Sequence, residues 1–276
     1  MPSMSLTQRL ARKTQRLAKI SRQRWSRMSQ AANASTRAIF VFGAQRSGSR
    51  LPIQVMERSP DILTYSEGHS RAFNGVLLKQ RETLVHLLDQ SPFPVVAFKP
   101  ICESHRAVEL LDTFPGARAL WIFRHFKDVT HSAAAKWGHG RRNLARLVTG
   151  QIAADDWRAG GMTPEKLELL RQFYHDHMST HAAHALMWYL RNTLFFDLRL
   201  HQNHQVLLVK YEDLVTAPQE QFARVFQFLT CSFEQEFVAG VYDTSLRRHR
   251  VMDIPDDIDA LCTDLYQRLD HHYASR

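Results

Sequence analysis

Apolar positions in this chain gather into short continuous runs, separated by stretches of helical period. Ala38-Ile39-Phe40-Val41-Phe42 is β-branched and aromatic and stops at Gly43, so it predicts a buried strand. Leu51, Val55 and Met56 then recur at helical spacing. Ile62-Leu63-Thr64-Tyr65 predicts a second strand. Arg71 to Gln90 predicts a helix, with Phe73, Val76, Leu77, Leu84, Leu87 and Leu88 apolar and Pro92 and Pro94 ending it. Val95-Val96-Ala97-Phe98-Lys99 predicts a third strand closed by Pro100. Glu103 to Phe114 follows as a helix stopped by Pro115-Gly116, then Ala119 to Phe123 as a fourth strand and about Lys127 to Trp137 as a helix. Strands alternating with helices predict an α/β fold, a mostly parallel central sheet flanked by helices.

From Gly138 to His204 the pattern changes. Gly138-His139-Gly140-Arg141-Arg142 predicts a loop, followed by short helical pieces around Gly160-Gly161. Thr163-Pro164-Glu165 is a helix start, with a capping hydroxyl and proline at the first position. A long helix from about Thr180 to His201 carries Trp188, Tyr189 and Phe195. This stretch, 138–204, predicts a helical insertion beside the sheet. Gln205 to Lys210 predicts a fifth strand; a Tyr211-Glu212-Asp213-Leu214 turn, a helix from Pro218, a basic loop at Arg247-Arg248-His249-Arg250 and a last helix from about Pro255 follow. The expected organisation is an N-terminal extension, 1–36, and a single domain, 37–276.

The turn after the first strand, Gly43-Ala44-Gln45-Arg46-Ser47-Gly48-Ser49, carries the most chemistry. A strand, a glycine-bearing turn and a helix start aim backbone N–H groups and the helix dipole at one point, an anion cradle. Gly43-x4-Gly48 has the spacing of half a nucleotide P-loop, but Ser49 and Arg50 stand where the nucleotide lysine and the magnesium-binding hydroxyl belong. The cation sits earlier, at Arg46. A phosphate cradle lacking that hydroxyl implies a nucleotide handled without a metal ion.

Charge changes the picture only at one end. The net charge is +9, with 36 Lys and Arg against 27 Asp and Glu. Nine of the basic residues, and no acid, precede Ala38, which leaves the rest of the chain at 27 against 27. Residues 5–29 predict an amphipathic helix with Leu6, Leu10, Leu17, Ile20 and Met28 on one stripe. Peripheral docking to an anionic membrane, an organellar transit peptide, and a helix packed on its own domain are three readings of that pattern. No specific nucleic-acid binding is expected. Cys102, Cys231 and Cys262 are too few and too widely spaced for a disulfide framework or a metal site, which favours a reducing, cytoplasmic compartment.

The Arg46-Ser47-Gly48-Ser49 turn after a strand resembles the 5′-phosphosulfate loop of sulfotransferases that use 3′-phosphoadenosine 5′-phosphosulfate (PAPS). Pro115 to Ser132 resembles that family's 3′-phosphate segment, in which a strand ends in Arg (Arg124) and a Ser (Ser132) comes eight residues later. Val206 to Leu229, with Tyr211-Glu212-Asp213-Leu214, resembles a further strand, turn and helix of the family, with a structural role. The resemblance implies a PAPS-dependent sulfotransferase. Arg46, Ser47, Gly48, Ser49 and Arg50 would hold the 5′-phosphate, and Arg124 and Ser132 the 3′-phosphate. Arg46 would lie near the oxygen bridging sulfur and phosphorus, and Arg248, in the basic loop, would close over the phosphates. The family loop prefers a hydroxyl where Arg50 stands, so Arg50 either adds a phosphate contact or faces solvent. Glu67, just past the second strand, is the candidate general base and His69 its rival. Lys99 either faces the same cleft or solvent. The products would be 3′-phosphoadenosine 5′-phosphate (PAP) and a sulfated small molecule, glycan or lipid acceptor, with the 138–204 insertion shaping the acceptor pocket. The rival readings are a P-loop kinase using Mg-ATP, and a non-catalytic nucleotide-binding protein with a docking tail.

Overall fold

The computed structural model describes residues 36–153, 156–242 and 252–275. The expected 5–29 helix and the basic loop with Arg248 lie outside the described residues. Five parallel strands form the central sheet: β1 (Arg37–Gly43), β2 (Ile62–Ser66), β5 (Val95–Lys99), β6 (Arg118–Phe123) and β7 (Val206–Lys210), in the order β2-β5-β1-β6-β7. All five are strands that the apolar runs predict. They read as continuous hydrophobic runs because parallel strands are covered on both faces.

Alternation along each strand splits the core in two. Phe40, Phe42, Phe98, Trp121 and Phe123 point to one face. There they meet α2 (Arg81–Asp89), α3 (Ala107–Thr113), α4 (Phe126–Lys136), α7 (Thr180–Asp197) and α10 (Asp256–Ala274). Ile39, Val41, Ala97, Leu120 and Ile122 point to the other face. They pack on α1 (Arg50–Met56), α8 (Tyr211–Thr216) and α9 (Pro218–Phe228). Trp121 and Phe195 stack across the first layer with ring centroids 5.8 Å apart, so the long helix of the 138–204 stretch covers the sheet directly.

Four segments differ from expectation. Residues 71–80 are not helical: β3 (Phe73–Asn74) pairs with β4 (Leu77–Leu78), and α2 begins only at Arg81. Gly75-Val76 is the two-residue hairpin loop, with Gly75 at φ +62°. The periodicity of Leu84, Leu87 and Leu88 does not extend back through it. The expected helix from Glu103 is a 3₁₀ turn, Ile101–Arg106, that becomes α-helical at Ala107. Of the expected loop at 138–142, Gly138-His139 is a turn, and α5 (Gly140–Val148) begins at Gly140. A Cβ on Gly140 would lie 2.6 Å from His184 Nε2, so this glycine permits close helix packing rather than a turn. Downstream, Thr163 caps α6 (Pro164–Phe173) as expected, its side chain accepting from the Lys166 N–H. The helix expected to reach His201 ends at Asp197, and Arg199, at φ +54°, starts a separate turn.

The glycines of the α5–α6 connection pack on a histidine. A Cβ on Gly160 would fall 2.3 Å from His105 Nδ1. Burial, reinforced by the Arg191 and Arg106 charges, pushes the His105 imidazole down to about 4. A folded pKa below the unfolded one means that the unfolded chain takes up the proton first. Stability held at neutral pH is therefore lost as pH falls from about 6.5 towards 4. His105→Asn is expected to flatten the dependence of Tm on pH across that window, read by thermal denaturation at half-unit steps. An unchanged slope would mean that His105 does not carry it.

Candidate active site

Each strand of the main sheet delivers one part of the site at its carboxyl end. β2 is followed by Glu67, β5 ends in Lys99, β1 runs into the Gly43–Ser49 turn, β6 is followed by Arg124 and β7 by Tyr211. β1 is central, with β5 on one side and β6 on the other. The chain leaves β1 towards β2 and returns through β5 before crossing to β6, so the crevice lies where the winding direction changes.

The turn after β1 is fixed by three close approaches. Gly43 has φ +136°, and a Cβ there would meet Ile122 O of β6 at 2.3 Å. Its N–H donates to the buried Ser104 Oγ (3.1 Å). Gly48 has φ +85°, and its missing Cβ is replaced by the Tyr211 ring, whose Cδ2 would be 2.0 Å away. Both glycines are required by conformation and by contact. Arg46 also adopts a left-handed conformation, φ +70°, which turns its side chain across the crevice.

There the Arg46 guanidinium donates to Ser132 Oγ through Nε (3.0 Å) and Nη2 (2.9 Å). It also lies over the Trp137 ring, 5.8 Å from the centroid. The β1 turn and the helix following β6 are thus joined by one side chain. Arg124 is buried behind this bond: its Nη2 pairs with Asp128 Oδ2 (3.3 Å) and its Cζ sits 4.5 Å over the Tyr211 ring. Burial, and then the charge of Arg124, hold the Arg46 guanidinium below its ordinary pKa. Two cations are therefore held near one another, a field that favours an anion between them. Ser47 Oγ is fully buried and finds no hydrogen-bond partner among the described residues. Arg46, Ser47, Gly48, Arg124 and Ser132 come together in this way. The Ser49 hydroxyl does not cap α1, and Arg50 is exposed.

Glu67 stands two strands away, on the far side of Lys99. Lys99 Nζ donates to its Oε2 (2.5 Å) and Cys102 N–H to its Oε1 (3.2 Å). Lys99 therefore faces the cleft. Gln45 Nε2, one residue before Arg46, donates to Cys102 Sγ (3.6 Å), which links the carboxylate to the turn. Burial, and then the charge of Glu67, push the Cys102 thiol up to about 12, so it stays protonated. His69 is half-buried, with Nδ1 accepting from Arg71 N–H (3.3 Å) and its ring against Tyr65 (4.8 Å). Neither His125 nor His131 forms part of this group: His125 packs on Tyr266, 4.7 Å between centroids. Among the described residues no cluster of three or more His, Cys, Asp or Glu side chains gathers to hold a metal ion.

The sequence assigns no binding or catalytic role to four of these residues. Asp128, four after Arg124 on one helix face, was legible as an ion-pair spacing. The tie of Tyr211 to Gly48, the Ser104 bond and the Trp137 contact join residues at least 60 positions apart, and no local pattern announces them.

Residues 36–250 match the family model described as the sulfotransferase domain. The fold is similar to the sulfotransferase domain of the olefin synthase of Synechococcus PCC 7002, at 15% identity and TM-score 0.53, covering 87% of this chain and 97% of that one. It is also similar to the sulfotransferase domain from the curacin biosynthetic pathway, at 16% identity and TM-score 0.50, covering 85% and 99%. A sulfotransferase from Mycobacterium avium matches at 13% identity and TM-score 0.50, covering 98% of this chain and 87% of that one. At such identities the likeness is one of fold. A search of curated protein sequences finds no match. With the family model spanning most of its length and the site assembled at the strand ends that the fold prescribes, this chain belongs to the sulfotransferase family.

Proposed function

We propose that this sulfotransferase takes its sulfuryl group from PAPS and passes it to a hydroxyl or amine of a small-molecule, glycan or lipid acceptor. The observation that carries this reading is the reach of Arg46 to Ser132, which brings two anion-binding segments into one crevice. The residues suit a donor with two phosphate groups: paired cations, a buried Ser47 hydroxyl without a partner, and a turn whose glycines let it pack closely on Ile122 and Tyr211. Ser49 and Arg50, in place of the nucleotide lysine and the magnesium-binding hydroxyl, speak against a kinase using Mg-ATP.

PAPS supplies the sulfuryl group when bound: sulfur bonds to the acceptor, its bond to the 5′-phosphate oxygen breaks, and PAP leaves. The chain's own part is positioning and charge. Arg46 is assigned to the 5′ side, where it offsets negative charge growing on the leaving oxygen, with the main chain of Ser47, Gly48, Ser49 and Arg50 around that phosphate. Arg124 and Ser132 are assigned to the 3′-phosphate, for which a guanidinium fork and a hydroxyl are apt donors. Arg124 is presented for this by Asp128 and Tyr211. Glu67 is assigned the acceptor's proton. Lys99 and Cys102 N–H hold its carboxylate in orientation, and Lys99 places a second positive charge on that side of the crevice. The 138–204 stretch is assigned to the acceptor side. There the Arg158 and Arg191 Cζ atoms lie 4.8 and 5.0 Å from the Trp157 ring centroid, two cations against one aromatic.

Transfer of radiolabelled sulfate from PAPS to an acceptor panel tests the reading. Arg46→Ala is expected to lower the transfer rate roughly hundredfold or more; activity within twofold of wild type would remove Arg46 from the charge-bearing role. Glu67→Gln is expected to lose turnover by about 10²–10⁴ while binding PAP as the wild type does. Full turnover in that variant would pass the base to His69.

A further inference from the structure

Arg124 and Ser132 work together only if the peptide after Arg124 is held in one orientation, and a carboxylate from the neighbouring strand end holds it. We propose that Glu212 is a positioning residue of the donor site: its carboxylate fixes the Arg124–His125 peptide and through it sets both the Arg124 guanidinium and the helix bearing Ser132. This rests on reading the crevice as a PAPS site.

The ladder between β6 and β7 closes at Phe123 opposite Lys210. Just past it the chains stay together. Arg124 lies over the Tyr211 ring, and one residue further on His125 N–H donates to Glu212 Oε1 (2.8 Å). His125 is the N-cap of α4, and its ring nitrogen accepts from Lys127 N–H (3.2 Å). The Glu212 carboxylate thus meets the first turn of α4 at its positive end. Ser132 is two turns further along the same helix. Trp188 Nε1 donates to the Arg124 carbonyl (3.1 Å), so both polar groups of the Arg124–His125 peptide have a fixed partner. Tilting the Arg124–His125 peptide would move the guanidinium origin and the helix axis at once.

The carboxylate is placed at a cost. Burial pushes the Glu212 carboxyl up, against the His125 N–H and the Arg124 and Lys210 charges, which draw it down. Its second oxygen, Oε2, is buried without a hydrogen-bond partner among the described residues. A buried carboxylate that spends one oxygen on a single peptide N–H fits a residue kept for alignment rather than for a network of its own.

Calorimetric titration of PAP into the full chain separates the possibilities, with PAPS kinetics on the same proteins. Glu212→Gln retains an amide oxygen for His125 N–H and is expected to bind PAP within about threefold of wild type, whereas Glu212→Ala leaves that N–H without an acceptor and is expected to bind about tenfold more weakly or worse. The Ala variant should raise KM for PAPS with kcat within about twofold of wild type, a split that general loosening of the fold would not give. If Glu212→Ala does not fold, Glu212→Asp, which withdraws the oxygen by one methylene, replaces it with the same expected loss. PAP binding equal to wild type in the Ala or Asp variant overturns the inference, as does a Gln variant that loses as much as they do. Failure of the wild type itself to bind PAP overturns the donor-site reading and this inference with it.

Discussion

The Arg46 guanidinium is held below its ordinary pKa, first by burial and then by the neighbouring charge of Arg124. Nothing in ordinary packing favours that arrangement, and the surrounding structure has to impose it. Arg46 is turned inward by a left-handed backbone and tied to Ser132 through two nitrogens. Arg124 is buried against Tyr211 and Asp128. Two cations placed in this way make a field that favours an anion, which is the basis of the proposed donor site. The parallel register of β1 with β6 makes the pairing geometrically available, since it sets the two strand ends side by side.

The close contacts around this pair share a logic. Gly43 lets β1 approach the Ile122 carbonyl, and Gly48 lets the turn lie on Tyr211. Tyr211 is therefore packed between the turn and Arg124 and keeps their spacing. Glu212, the next residue, braces the peptide that follows Arg124. A strand-end dipeptide remote from both phosphate segments in sequence thus controls their relative position. On the opposite flank, Glu103 plays a comparable part for the hairpin after Glu67: its Oε2 accepts from Leu78 N–H (2.5 Å) while Arg106 holds its other oxygen.

Much of this was legible in the chain itself, for identifiable reasons. All five strands of the sheet appear as unbroken apolar runs, because burial on both faces leaves no room for polar alternation. Arg46, Ser47, Gly48, Arg124 and Ser132 stood out by residue type and by distance from strand ends, and the fold brings the Arg46 guanidinium onto Ser132. What misled was local chemistry hidden in periodic sequence. Gly75-Val76 makes a hairpin inside an apparently helical stretch, and Gly140 opens a helix where a glycine pair suggests a loop. What stayed invisible were partners across the fold: Lys99 on Glu67, Ser104 on Gly43, and Glu212 on His125. Those pairings depend on strand order, which no single segment encodes.

The central claim is that one crevice holds two phosphate groups at once without a metal ion. Calorimetry of the full chain in EDTA, with PAP, adenosine 5′-monophosphate and adenosine 3′-monophosphate as separate ligands, tests it most directly. The account predicts a single PAP site, with each monophosphate binding at least about a hundredfold more weakly because one pair of charge-assisted contacts is lost. Equal affinity for PAP and either monophosphate, or binding that appears only with magnesium and ATP, would contradict it.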